Sequence, residues 1–177
     1  IIMIFLVLVN LMLLGLSRLR TCIRAVAIQG VALGILPLLL HQGNWALHLV
    51  LFSAVIVGMK GMIFPAMLIK TLRDLKAHRE IEPFVGFGTS MVAGMVMLVL
   101  CIALGARLPL PEPVKSPLIA PVAFFTIMTG FFLIISRKKA LTQVLGYLVL
   151  ENGIYTFGAA LVEQQPVLIE LGILLDV

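Results

Sequence analysis

Three ionisable side chains, Lys60, Glu151 and Asp176, interrupt long apolar stretches of this 177-residue sequence. Placing one charged residue at the centre of a membrane helix costs about 2.5–3.5 kcal/mol, so such a residue is a candidate functional site. An amine and two carboxylic acids that are held away from water can take up and release protons. The chemistry that these residue types indicate is therefore proton or ion transfer.

The three residues are predicted to lie at a similar depth in a membrane. Lys60 stands ten residues before Lys70, and Glu151 stands twelve residues after Lys139. At 1.5 Å per helical residue, each is about 15–18 Å from a basic helix end, near the middle of a hydrocarbon core about 30 Å thick. Asp176 lies equally far into the last apolar segment. One base and two acids leave one acid unpaired, which favours a proton pathway; alternatively, the charges only pair and hold helices together.

Two tyrosines extend the candidate pathway. Tyr147 and Tyr155 lie four residues before and after Glu151, which places them on the same face of a helix. A phenol hydroxyl both donates and accepts hydrogen bonds, so these groups could relay protons to Glu151. Tyrosines at this spacing also pack helices together, and the sequence leaves both interpretations open.

The helix around Lys60 contains residues that can distort it. Gly58 and Gly61 flank the lysine, and Pro65 follows. This combination permits a local break or bulge in the helix beside the ammonium group. Alternatively, the glycines only allow a neighbouring helix to approach closely.

The composition requires a membrane protein. The sequence is 62% hydrophobic and 12% charged, with a mean hydropathy of +1.18. We predict an all-α fold, a polytopic transmembrane bundle of about seven helices that forms a single integral membrane domain over residues 1–177, with the last helix truncated. The predicted membrane segments are 1–16, 25–40, 45–69, 84–106, 118–135, 141–162 and 167 onward.

The connections between these segments alternate in charge. The basic ones, SRLRTCIR, KTLRDLKAHRE and SRKK, carry ten Lys and Arg residues, whereas the other connections carry only Arg107 and Lys115. The positive-inside rule then places the basic connections in the cytoplasm and the N-terminus outside. This asymmetry accounts for the net charge of +5 and argues against a nucleic-acid partner.

The sequence offers no obvious metal or redox site. Cys22 and Cys101 are far apart, and His41, His48 and His78 are scattered. Asn10 and Gln29, in the first two helices, are predicted to form interhelical hydrogen bonds. The sequence begins with Ile and stops within an apolar segment, so we expect it to be a piece of a longer one; its first run lacks the features of a signal peptide.

The run SRKKALTQVLGYLVLENGIYTFGAAL resembles complex I subunit K and its relatives in cation/proton antiporters. In those proteins a short basic cytoplasmic loop precedes a helix with a mid-membrane Glu, here Glu151, and the next helix carries a second acid, here Asp176 in place of Glu. The subunit K-like part covers residues 136–177. With the additional helices of residues 1–135 and Lys60 in MKGMIFP, the whole chain resembles the hydrogenase-4 component E family of group 4 hydrogenase and formate hydrogenlyase complexes.

This resemblance implies a non-catalytic membrane subunit that couples electron transfer to proton or sodium translocation. It implies no cofactor in this chain, with nickel–iron and iron–sulfur centres in partner subunits. The implied partners are antiporter-like membrane subunits, a peripheral hydrogenase arm and lipid. Two alternatives remain: a subunit of a multisubunit sodium/proton antiporter, or a purely structural membrane scaffold.

Overall fold

The computed structural model describes residues 1–40, 47–74, 84–107 and 118–161, and this part of the chain is all helical, without a β-strand. The helices are α1 (Ile2–Gly15), α2 (Leu19–Leu40), α3 (Leu47–Gly58), a π-helix (Met59–Ile63), α4 (Phe64–Asp74), α5 (Phe87–Gly105), α6 (Ile119–Ser136) and α7 (Ala140–Leu161). Because α3, the π-helix and α4 follow one another without a gap, the described residues form six continuous helical segments.

The predicted segments agree with these helices except at two basic ends. Helix α2 begins at Leu19 and not at residue 25, so Arg20 and Arg24 belong to its first turns and not to a connection. The third segment continues beyond residue 69 to Asp74, through Lys70 and Arg73. Both errors have one cause: hydropathy falls where basic side chains begin, whereas the backbone hydrogen bonds of a helix continue past that point.

Four helices in the described residues are long and apolar enough to cross a membrane, namely Leu19–Leu39, Val50–Asp74, Phe87–Gly105 and Ile119–Ser136. Helix α1 is apolar but shorter. Helix α7 has 22 residues, and Glu151 and Asn152 are among them. The predicted seventh segment, from residue 167, lies outside the described residues. The total of about seven membrane helices therefore stays a prediction.

Helices α6 and α7 form the most extensive helix pair in the described structure. Only the three residues Arg137–Lys139 separate them, so they pack as antiparallel neighbours. Gly130 of α6 faces the backbone of α7: a Cβ atom there would lie 2.5 Å from the Leu150 nitrogen and 2.7 Å from the Gly146 oxygen. Small residues at this interface allow the backbones to approach closely, as is common between membrane helices.

Arg137, between α6 and α7, is fully buried, although its sequence context predicts a basic connection. Its guanidinium donates hydrogen bonds to the Leu14 carbonyl at 2.9 Å and the Val85 carbonyl at 3.5 Å, and it lies 5.0 Å from the centre of the Phe87 ring. Burial lowers the pKa of Arg137 below its usual range. The side chain joins the end of α1 and the start of α5 to the connection between α6 and α7, and it supplies a partner for a terminal helix carbonyl.

The apolar core is divided into two clusters. One fills the half of the bundle nearer Arg137, and its members are Val9, Leu13, Leu14, Leu19, Cys22, Ile23, Ala25, Val26, Leu68, Leu72, Leu133, Leu145 and Val149. The other fills the opposite half, and its members are Met3, Leu6, Leu33, Leu36, Ile56, Ile119, Val122 and Tyr155. Lys60 and Glu151 lie between members of the two clusters on their helices.

Gly130→Ala is expected to destabilise the protein, because its new methyl group would meet backbone atoms of α7 that cannot rotate away. Overpacking of this kind costs about 1–3 kcal/mol, which should lower the melting temperature in detergent by several degrees. Gly88→Ala on α5 is the matched control, since nothing lies within 4 Å of a Cβ atom there. Equal melting temperatures for the two variants would contradict the described α6–α7 packing.

Candidate functional site

Lys60 lies in the π-helix, whose wider turn sets the direction of its side chain. The π-helix ends just before Pro65, which has no N–H to donate back to Gly61 and whose ring crowds the preceding turn. The predicted distortion of the helix at Lys60 is therefore confirmed. The second interpretation, that a glycine lets a neighbouring helix approach closely, also holds at Gly61. A Cβ atom there would lie 2.5 Å from Val31 Cγ2 of α2.

Helix α2 passes close to the lysine backbone. A Cβ atom at Gly30 would lie 2.7 Å from Lys60 Cβ and 3.2 Å from the Lys60 carbonyl carbon. Only a glycine at this position lets α2 lie directly against the π-helix. This contact places the polar side chain of the neighbouring Gln29 at the same level as Lys60.

The Lys60 ammonium makes three contacts with α7. Its Nζ lies 2.6 Å from Glu151 Oε1, 3.2 Å from Asn152 Oδ1 and 5.6 Å from the centre of the Tyr155 ring. The side chains of Lys60 and Glu151 are only 9% and 10% exposed. The cation is thus held by a carboxylate, an amide oxygen and an aromatic face, each of which attracts positive charge.

Burial makes this ion pair sensitive to the loss of either partner. Removing two charges from water costs several kcal/mol each, and their attraction offsets that cost only when further hydrogen bonds complete the site. Asn152 supplies such a bond to Lys60. The pair alone is weak evidence for stability, and its position at mid-helix in an apolar bundle makes it a candidate functional site.

A chain of hydrogen bonds continues from Asn152 across the bundle. Asn152 Nδ2 donates to Gln29 Oε1 at 3.4 Å, and Gln29 Nε2 donates to Asn10 Oδ1 at 3.1 Å. Asn10 Nδ2 then donates to Thr126 Oγ1 at 2.7 Å, and Thr126 Oγ1 donates to the Val122 carbonyl at 2.7 Å. The chain therefore joins α7, α2, α1 and α6 to the π-helix.

One polar layer lies between the two apolar clusters. Its six residues are Asn10, Gln29, Lys60, Thr126, Glu151 and Asn152. On α1, Asn10 follows the cluster residues Met3 and Leu6 and precedes Leu13 and Leu14. On the other helices, too, the polar residue lies between members of the two clusters, and these residues are Gln29, Lys60, Thr126 and the Glu151–Asn152 pair. The side chains of the layer are buried, so apolar groups on both sides separate it from water.

The structure brings some of the predicted pathway residues together and separates others. Lys60, Glu151 and Tyr155 are adjacent, and Tyr155 is buried with a hydroxyl that has no hydrogen-bond partner within the described part of the chain. Tyr147 is 50% exposed at the surface of α7, away from the buried polar layer. Asp176 lies outside the described residues. The roles of all five in ion transfer stay predictions.

The sequence predicted only some of the other residues of the polar layer. Asn10 and Gln29 were expected to form interhelical hydrogen bonds, and this is confirmed. Asn152, next to Glu151, had no assigned role, and it is the residue that links the ion pair to the rest of the chain. Thr126 gave no signal, because a threonine in an apolar helix can satisfy its hydroxyl on its own backbone.

Within the four described stretches, no group of three or more His, Cys, Asp and Glu side chains could hold a metal ion. Cys22 and Cys101 are both buried and free of disulfide bonds. The chemistry available in the described part of the site is thus that of a lysine, a carboxylic acid, a phenol and three amides.

The chain is similar to an uncharacterized protein and to a hydrogenase component. An uncharacterized protein of Mycobacterium tuberculosis is 27% identical over 173 residues, which are 97% of this chain and 79% of that protein. Hydrogenase-4 component E of Escherichia coli is 28% identical over 133 residues, which are 73% of this chain, and the matched region spans 60% of the relative. No family model matches the chain, and no solved structure matches it.

These similarities are distant. They support a relationship to a hydrogenase-related family of membrane proteins, in agreement with the apolar helices of the structure. The relative from M. tuberculosis matches more of this chain and carries no functional description.

Replacing one partner of the ion pair is expected to destabilise the protein more than replacing both. Glu151→Gln or Lys60→Gln leaves a buried charge without its partner, which costs about 3–5 kcal/mol. The double variant Lys60→Gln/Glu151→Gln leaves two amides that can bond to each other, so its melting temperature in detergent should lie above that of either single variant. A double variant whose melting temperature falls by the sum of the single losses would show that the two side chains do not interact.

Proposed function

We propose that this chain is a non-catalytic membrane subunit of a multisubunit hydrogenase-type oxidoreductase complex, in which it couples electron transfer to proton or sodium translocation. The observation that carries the proposal is the buried Lys60–Glu151 pair, held at the centre of a bundle of membrane-length apolar helices. The distant similarity to hydrogenase-4 component E supports the type of complex.

In this proposal, Glu151 is the group that takes up and releases the translocated proton, and Lys60 is its charge partner. When Glu151 is protonated the ammonium loses its counterion, and when Glu151 is ionised the pair re-forms, so each proton changes the charge balance of the buried layer. Tyr155, beside the ammonium, is proposed to pass protons to this pair. Asp176 and Tyr147 are proposed as further groups on the path.

The remaining parts of the proposal concern the surroundings of the chain. We propose a bundle of about seven membrane helices in a prokaryotic cell membrane, with the N-terminus outside and the basic ends in the cytoplasm. Antiporter-like membrane subunits and a peripheral hydrogenase arm are the proposed partners. Nickel–iron and iron–sulfur centres are proposed to lie in those partners.

The test is proton uptake driven by electron transfer, measured in vesicles that contain the whole complex. Glu151→Gln should abolish proton uptake per electron while electron transfer itself continues. Asp74→Asn is the matched control: it makes the same change from acid to amide at an exposed position in the last turn of α4, and it should leave coupling intact.

The double variant Lys60→Gln/Glu151→Gln separates coupling from assembly. We expect it to assemble at least as well as Glu151→Gln and still to lack coupled proton uptake. If either variant assembles and retains full coupling, the ion pair is only structural and the chain acts as a scaffold. If the purified complex contains neither nickel nor iron and instead exchanges sodium for protons, it is an antiporter and the proposal of a hydrogenase is wrong.

A further inference from the structure

The hydrogen-bond chain from Lys60 to Val122 runs in one direction. Each amide in it presents its oxygen toward Lys60 and its nitrogen toward Val122. The two ends dictate this direction, because an ammonium group can only donate hydrogen bonds and a backbone carbonyl can only accept them. Turning any single amide around would set oxygen against oxygen and nitrogen against nitrogen, so the orientation of each amide depends on all the others.

This direction favours a charged lysine. The amide dipoles all have their negative ends toward the ammonium, in surroundings where electrostatic interactions are weakly screened. A lysine and a glutamate enclosed by apolar side chains can also exist without charge. In that arrangement the proton has moved from the ammonium to the carboxylate and leaves a neutral amine and a neutral acid. The Asn152 oxygen accepts a hydrogen bond from the ammonium and so disfavours that neutral arrangement.

The chain itself does not carry protons. Its links are amides, which donate and accept hydrogen bonds without changing their own protonation under ordinary conditions. Among the described residues, the titratable groups that contact Lys60 are Glu151 and Tyr155, both on α7. Any effect of Asn10 or Thr126 on proton transfer must therefore act through Lys60.

We propose that Asn152, Gln29, Asn10 and Thr126 are positioning residues, which together hold the Asn152 amide oxygen against the Lys60 ammonium and thereby keep the shared proton on Lys60 and the negative charge on Glu151. The importance of this positioning for coupling rests on the proposed function. The structural content of the assignment, the ionised state of Glu151, can be tested separately. Thr126 on α6 then influences a proton on the π-helix through three intervening amides.

Helix α6 offers a matched pair of substitutions for the test. Thr126 and Thr129 are both fully buried, but the Thr126 hydroxyl lies in the chain whereas the Thr129 hydroxyl has no hydrogen-bond partner among the described residues. Replacement by Val keeps the shape of the side chain and removes the hydroxyl in both cases. Thr126→Val should break the chain, Thr126→Ser should preserve it, and Thr129→Val should not affect it.

The readout is the infrared carboxylic-acid band of Glu151 in the purified complex at neutral pH, identified in Thr126→Val by its loss when Glu151→Gln is added to that variant. We expect this band to be absent from the wild type, Thr126→Ser and Thr129→Val, and to appear in Thr126→Val. Losing about one hydrogen bond should change the ratio of charged to neutral pairs about tenfold. Coupled proton uptake should fall in Thr126→Val alone, with the Ser variant restoring it.

The outcomes separate this inference from the proposed function. If Thr126→Val and Thr129→Val give the same spectrum, the chain does not position the proton and the inference is wrong. If the band appears as expected in Thr126→Val while Glu151→Gln still couples, the positioning is correct and the proposed role of Glu151 in translocation is wrong.

Discussion

The structure depends on satisfying one positive charge, that of Lys60, inside an apolar helix bundle. An ammonium group buried without partners would cost several kcal/mol, a large part of the marginal stability of a domain of this size. Helix α7 meets this requirement with a carboxylate, an amide oxygen and an aromatic ring on neighbouring turns. The other polar side chains of the layer follow from it, because each amide that accepts a hydrogen bond must also place its own donor.

The backbone geometry serves the same requirement. The π-helix turns Lys60 toward α7, and Gly30 lets α2 lie against the lysine backbone, which places Gln29 within reach of Asn152. On the other side, Gly130 and Gly146 bring α6 against α7. Close contacts between small residues thus determine which polar side chains meet, and the two apolar clusters above and below keep water away from them.

A buried layer of this kind suits a subunit that responds to the movement of charge. Its hydrogen bonds link the π-helix, α1, α2, α6 and α7, so these five elements meet in one polar network that includes the Lys60–Glu151 pair. Coupling through such a network requires groups with two alternative arrangements. An acid–base pair has two, because it can be either charged or neutral. This connects the geometry of the site with the distant similarity to a hydrogenase component.

The sequence by itself determined the membrane-length apolar segments and the positions of Lys60 and Glu151 within them, and it allowed a distortion near Lys60, because hydropathy and the effects of Gly and Pro are properties of neighbouring residues. It misplaced the start of α2, because a basic side chain ends an apolar run without ending the helix. Only the tertiary structure decided that Lys60 pairs with Glu151, that Asn152 links this pair to Thr126, and that Tyr155 lies inward while Tyr147 lies outward. The reason is rotational: each residue turns a helix by about 100°, so the partner of a side chain depends on how whole helices are rotated and packed, which the spacing along one helix does not contain.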